Sequence, residues 1–273
     1  MLSHINPKLA WMGAIRMKRK ESLIKIIMTG LMAALVFIAT SIIKIPIASG
    51  GYIHFGDAFI FLSVMLLGPF YGAFASGAGS MLSDLLSPYA QWALPTLIIK
   101  SVMAIIMGFT IKQRSQKNTI IFSSAILTVW VGFTTVLKSM VAKSVRYSTA
   151  DLADALNTEP EAMLKTASEL QRHLTAAMLI FILIFSTLVY WIVKKRNMPL
   201  FYPRIFLGMI SCGSWMIIGY YFTEYILYGN AISPIFSIPM NLLQLSAGII
   251  IAVITAPVLL KVSPVIDGEI KSN

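Results

Sequence analysis

The chain has 273 residues, 57% of them hydrophobic and only 12% charged, with a formal net charge of +11. That balance excludes a soluble globular domain, which needs far more polar surface for its volume. Cys212 is the single cysteine and sits in an apolar run, so a disulfide framework and a thiolate metal cluster are excluded; it reads as a small buried apolar residue.

Taken in chain order, residues before Met17 are polar and irregular, and Met17-Lys18-Arg19-Lys20 has the form of a second possible start. A full-length apolar run follows the basic residues with no small-residue cleavage site, so residues 1–22 are expected to be a cytoplasmic extension rather than a cleaved signal. Leu23–Ile43 is the first run long enough for the ~20 residues a helix needs to cross the hydrocarbon core. Ala58–Leu67 and Tyr71–Leu86 come next, the first too short to cross alone. They are expected to be two helices joined by a tight turn at Gly68-Pro69, because one unbroken helix would have to run through Pro69. Leu94–Ile111 completes a first membrane block of four spans, residues 23–117.

Ile120–Leu137 and Leu174–Val193 form a two-span hairpin within residues 118–198. Between its spans, residues 143–172 carry two capping-box patterns, Ser148 to Asp151 and Thr158 to Glu161, each with a hydroxyl followed three residues on by a carboxylate. Two short helices are expected there. Leu152-Ala153 with Leu156-Asn157 superficially has a helix-turn-helix pattern, but four cations and five acids give this stretch a net charge of −1, wrong for phosphate contact. Ile205–Leu227 and Leu242–Leu260 form a second membrane block, residues 199–262, ahead of a tail at 263–273. The expected fold is all-α: a polytopic membrane helical bundle of about eight spans.

The cations gather at Arg16 to Lys25, at Lys112, Arg114 and Lys117, and at Lys194, Lys195, Arg196 and Arg204. An N-terminus inside the cell puts all three clusters, Lys8 and the tail on the cytoplasmic side, fifteen of the 22 Lys and Arg. That positive-inside bias fixes the orientation, with both termini cytoplasmic and 143–172 outside. Nucleic acid is not the partner that the charge implies; the lipid bilayer is.

Ionisable side chains within spans are costly and point to function. Here they are Asp57, Asp84, Lys100 and Glu224, joined by the amides Asn241 and Gln244. All six fall toward the outer ends of five different spans, which suggests a polar pocket open to the outside; headgroup-wetted interfacial positions are the other reading. Asn241 and Gln244 share a helix face, and amides suit a neutral heterocycle because each offers a donor and an acceptor. Lys100 requires a counter-charge, supplied by Asp84, by Glu224 or by an anionic ligand. Tyr52, Tyr89, Trp92, Tyr220, Tyr221 and Tyr225 lie at similar depth, either stacking on a ligand or forming the usual interfacial belt.

Gly68, Gly72, Ser76 and Ser80 recur every four residues on the ridge that leads to Asp84, and Gly30 and Ala34 form a similar pair in the first span. Such ridges let helix backbones approach closely: internal packing suffices for the former, while the latter pair faces either a neighbouring helix or a partner subunit. No phosphate-binding loop, HExxH or GxSxG motif is present. His54 and His173 are isolated, and His4 lies in the extension, so no metal, cofactor or catalytic residue is assigned and the chain is not expected to be an enzyme.

Gly51-Tyr-Ile-His-Phe-Gly-Asp-Ala58, Leu67-Gly-Pro69 with Tyr71-Gly72, Gly79-Ser80 with Asp84-Leu85, and Thr96-Leu-Ile-Ile-Lys100 together resemble the S component of energy-coupling factor (ECF) vitamin transporters, in the riboflavin-transporter-like branch. Gly219-Tyr220, Glu224, Tyr228-Gly229 and Ile238-Pro239 with Asn241-Leu-Leu-Gln244 continue the resemblance. It implies a six-helix core that captures a vitamin or precursor (riboflavin-, pyridoxine- or pyrimidine-like) and docks on a transmembrane coupling subunit driven by two cytoplasmic ATPase subunits. It also implies that Gly30 and Ala34 contact the coupling subunit and that the loop from Ile45 to Gly56 is a lid, with Gly50, Gly51 and Gly56 giving it freedom. The hairpin at 118–198 departs from that pattern as an insertion. A stand-alone secondary transporter or facilitator is the competing reading, against which stand the lack of an internal repeat and the off-centre polar groups.

Overall fold

The structure, a computed structural model, describes residues 7–46, 51–113, 115–147, 159–194, 201–229 and 233–262. Among them, seven helices are long and apolar enough to cross a membrane. They are α1 (Pro7–Ile42), α2 (Gly56–Leu85), α3 (Ala93–Lys112), α4 (Gln116–Tyr147), α5 (Pro160–Lys194), α6 (Phe201–Tyr228) and α7 (Ile238–Val262). A two-stranded antiparallel strap, β1 (Ile45–Pro46) and β2 (Tyr52–Ile53), lies between α1 and α2.

The count of seven against about eight turns on α2. This 30-residue run contains non-helical Gly68, at φ 78° and ψ −174°. A Cβ on Gly72 would lie 3.1 Å from the Val64 backbone, although eight residues of unbroken helix would separate them by about 12 Å. The run therefore folds back on itself, and the expected turn at Gly68-Pro69 is present. Its first leg is too short to cross alone, so full-length spans number seven. Only glycine takes this left-handed backbone without a steric cost, and Pro69 then opens the second leg where a missing N–H does no harm. Gly108 of α3 closes on the turn, where an added Cβ would lie 2.6 Å from that of Pro69. Gly68→Val is expected to destabilise the protein by about 1–3 kcal/mol, seen as a lower unfolding temperature in detergent; an unchanged value would deny the turn its role.

Two other expectations change. The segment before Met17 is helical from Pro7, so α1 is a single helix of 36 residues, about 54 Å long at 1.5 Å per residue and far longer than the hydrocarbon core. The second short helix expected between the hairpin spans is instead the start of α5, continuous through Lys194 because no breaker lies between Glu161 and the apolar run. The first, Ser148 to Asp151, lies outside the described residues.

Five helices carry most of the packing, and buried Trp130, Leu137, Leu170 and Leu174 of α4 and α5 extend the same core. α2 packs on α1 and α3, while α6 packs on α3 and α7 on α2 across the sequence interval occupied by α4 and α5. Met32, Val36, Phe61, Met103, Met107 and Met216 are buried at their contacts. Lipid supplies no hydrophobic drive between helices, so small residues and close backbones hold them together: Gly77 abuts Leu97 and Ser101 of α3, and Gly79 abuts Ala33 and Val36 of α1. The ridge through Gly72, Ser76 and Ser80 is thus internal packing. The α4–α5 hairpin rests on α6 from outside, with Trp130 and Phe181 rings 4.9 Å apart and Phe133 edge-on to Tyr221 at 5.3 Å.

Candidate ligand-binding site

The fold-back of α2 decides the site. In a straight helix Asp57 and Asp84 would stand about 40 Å apart; reversed at Gly68, both reach the end of the bundle that the strap crosses. The strap is fastened at two points. Tyr52 donates its hydroxyl to the Asp84 carboxylate, and beside it the Lys44 ammonium donates to the Ser83 carbonyl at 2.9 Å and sits 4.6 Å over the Tyr52 ring. At the other point the His54 backbone N–H donates to Gln244 Oε1 at 3.0 Å.

Gln244 continues inward. Its Nε2 donates to Asp57 Oδ2 at 2.8 Å, and Lys100 Nζ pairs with Asp57 Oδ1 at 2.5 Å. Lys100 and Asp57 are both 0% exposed, and Met216 Sδ lies 3.2 Å from the ammonium. An ion pair this dry persists only when its remaining hydrogen-bonding sites are filled, which Gln244 does for Asp57. The relay from strap to α7 to α2 to α3 is a latch whose polar groups pair with one another.

Next to these residues is a small cleft. Its described polar lining is Tyr52, His54, Asp84, Thr96, Glu224 and Asn241; Trp92 and Tyr220 supply aromatic walls and Gly51 the strap edge. Trp92 and Tyr220 meet at 5.8 Å and 60°, an edge contact rather than a sandwich. The indole Nε1 of Trp92 is buried and has no partner among the described residues.

His54 is neutral here: burial, reinforced by the Lys100 charge, pulls its pKa down to about 3. Its Nδ1 accepts the Gly56 N–H at 3.0 Å, so the ring proton resides on Nε2, which is left as a donor.

The six residues singled out in the sequence are all buried and all converge here, but they divide. Asp84, Glu224 and Asn241 line the cleft, whereas Asp57, Lys100 and Gln244 form the latch behind it. The counter-charge of Lys100 is Asp57, not Asp84 or Glu224, because the hairpin of α2 brings the start of its first leg against α3. Gln244 shares a helix face with Asn241 yet has both ends of its amide occupied by protein. His54, set aside in the sequence as isolated, belongs to the cleft; its place on the strap beside Tyr52 was the available signal. Of the aromatics, Tyr52, Trp92 and Tyr220 line the cleft, Tyr89 packs on Tyr52 at 4.7 Å, Tyr221 turns toward α4, and Tyr225 is exposed. Gly51 and Gly56 have no left-handed backbone, and Gly56 is instead needed for its close approach to Thr40; Gly50 lies outside the described residues.

Among known proteins, residues 20–195 match the family described as ECF-type riboflavin transporter, S component. The matched stretch includes α4 and α5 and ends before α6, so Tyr220, Glu224 and Asn241 complete the cleft from beyond it. A protein of Pyrococcus woesei described as "Uncharacterized protein in gap 3'region" is 40% identical over 92 residues, 33% of this chain and 62% of that one, so the chain spans about three fifths of that relative's length. No solved structure matches the chain. The family match extends over more than half of a chain whose fold is a bundle of seven membrane-length helices; the chain belongs to the family of ECF-type riboflavin transporter S components.

Proposed function

We propose that this S component captures a small water-soluble vitamin or precursor (riboflavin-, pyridoxine- or pyrimidine-like) in the cleft beneath the β1–β2 strap, from the outer face of the cell membrane. The observation that carries this reading is the convergence of Asp84, Thr96, Glu224 and Asn241 from α2, α3, α6 and α7 on one cleft, beneath the Tyr52–His54 edge of the strap. Burying such groups in a membrane protein is costly, and a ligand that pairs with them is the economical reason to keep them there. Asp57, Lys100 and Gln244 then hold the site's shape and its strap rather than touch the ligand.

In this reading both termini are cytoplasmic, as the cation distribution supports, and the complete importer adds a transmembrane coupling subunit and two cytoplasmic ATPase subunits. Gly30 and Ala34 are the docking pair; their exposure on α1 supports that role. The α4–α5 hairpin is an addition to the core, supported by its packing outside α6, although the family match runs through it.

Asn241→Ala tests the site. Removing one partner from a desolvated site costs about 1–3 kcal/mol, roughly ten- to a hundredfold in affinity. Titration of the purified full chain against riboflavin, pyridoxine, pantothenate and an aminopyrimidine alcohol, after mass spectrometry of whatever co-purifies, identifies the ligand and the loss. Unchanged affinity in a folded Asn241→Ala variant would remove the cleft as the site.

A further inference from the structure

A second cleft opens at the end of the bundle opposite the strap. Phe109 and Thr110 of α3, Gln113 at its C-terminal cap, Thr119 and Phe122 of α4 and Leu207 of α6 line it. It exists because α4 leaves α3 after the short connection 113–115 and leans on α5 and α6 rather than on α3. Leu207 is buried, whereas Phe109 is 51% exposed on a membrane-length helix, so the cleft has an apolar floor and a mouth on the lipid-facing side. Its hydroxyls are already committed as donors: Thr110 Oγ1 to the Ile106 carbonyl at 2.8 Å and Thr119 Oγ1 to the Ser115 carbonyl at 2.9 Å. Their oxygens are left as acceptors, and the Gln113 amide adds both a donor and an acceptor.

The surroundings are cationic and uncompensated. Lys112 and Lys117 stand on the two helical turns that bound the cleft, both exposed, and neither pairs with a carboxylate among the described residues. Arg114 lies between them in sequence, outside the described residues. No Asp or Glu occurs from Leu85 through Ala150 or from Leu170 through Thr223, so α3, α4 and the first turns of α6 have no carboxylate to supply. The positive-inside bias accounts for cations at this end of the bundle. It does not account for a cleft between them that opens sideways past a half-exposed phenylalanine. A positively charged rim, hydroxyl acceptors just within it and an apolar mouth together match one kind of molecule, an anionic lipid with a hydroxylated headgroup.

We propose that the α3–α4–α6 cleft is a site for one anionic phospholipid of the phosphatidylglycerol type. Lys112 and Lys117 answer the phosphodiester charge, Thr110 and Thr119 accept from the headgroup hydroxyls, and an acyl chain lies along Phe109 and Phe122. The lipid fills the gap that α4 leaves beside α3 and so braces the α4–α5 hairpin on the core. The site is separate from the cleft beneath the strap, and the two readings stand or fall independently.

The test places the purified full chain in nanodiscs of equal phosphatidylglycerol and phosphatidylcholine with matched acyl chains, and reads the retained lipid by native mass spectrometry. Phosphatidylglycerol is expected to be enriched at least about tenfold on the released protein, since each juxtamembrane cation contributes about fivefold. Lys117→Gln should cut that enrichment by about fivefold, and Lys112→Gln with Lys117→Gln should abolish it. Lys117→Gln serves alone if loss of Lys112, whose ammonium would lie 3.6 Å from a Cβ on Gly68, lowers the yield of folded protein. Arg19→Gln with Lys20→Gln on α1 removes the same charge from exposed positions away from the cleft, and should change the enrichment by less than about twofold. Equal retention of the two lipids would overturn the site. So would an equal loss in the α1 pair, which means diffuse attraction to the bilayer surface. In detergent, phosphatidylglycerol should raise the unfolding temperature of the parent and not of the double lysine variant. A rise of the same size from soluble glycerol phosphate would make the occupant a free anion and remove the lipid.

Discussion

Lys100→Met is expected to destabilise the protein by about 3–5 kcal/mol, the loss typical of a buried ion pair deprived of one partner. The change leaves Asp57 fully buried with a negative charge and only the Gln244 amide to answer it. Because Gln244 also holds the His54 backbone N–H, disorder at Asp57 propagates to the strap, and ligand affinity falls as a secondary effect. The double variant Asp57→Asn with Lys100→Met removes both charges while keeping an acceptor for Gln244, and is expected to recover most of the loss. Unfolding temperature in detergent, read for the two single variants and the double, provides the measurement. A single variant as stable as the parent, or a double variant no better than the single, would sink the latch. The result also separates two roles for the lysine: a ligand-binding cation would cost affinity without stability, and the geometry predicts the reverse order.

Gly30→Leu and Ala34→Leu are expected to abolish uptake and leave ligand affinity within about twofold of the parent, because added bulk prevents close helix approach at a docking face. The structure makes that separation plausible in atomic terms. A Cβ on Gly30 meets nothing within 4 Å, and Ala34 is exposed on the same side of α1 as Leu23, Ile27, Leu31 and Ile38. The opposite side, through Met32 and Val36, is buried on α2. Gly79→Leu is the internal control: its side chain would run into the Ala33 carbonyl, so it should lose folded protein instead. Uptake of labelled ligand in cells, compared with binding by the purified variants, distinguishes these outcomes. Retained uptake, or a collapse of binding at Gly30 and Ala34, would remove the docking assignment.

The bundle, its spans and the Gly68-Pro69 break were legible in the sequence because they follow from local chemistry. Long apolar runs have one solution in lipid, since every backbone polar group must be satisfied within the helix. A glycine before a proline marks a stop and a restart. The six polar residues were legible for a related reason: within spans such groups are rare enough to stand out. The continuity of α1 back to Pro7 and of α5 back to Pro160 was not legible, because polar helix and polar loop have similar compositions once apolar periodicity is lost.

What the sequence determined by itself is therefore the class of protein, the approximate spans and the short roster of residues near one end of the bundle. What only the tertiary structure decided is which of them line the cleft and which pair with one another. Asn241 and Gln244 are three residues apart on one helix face, yet the first lines the cleft and the second is consumed by His54 and Asp57. Asp57 rather than Asp84 neutralises Lys100. The physical reason is that partner choice in a dry interior depends on distances of a few ångströms between elements remote in sequence, set by the fold-back at Gly68 and the close packing of α2 on α3. Spacing along the chain carries no information about those distances.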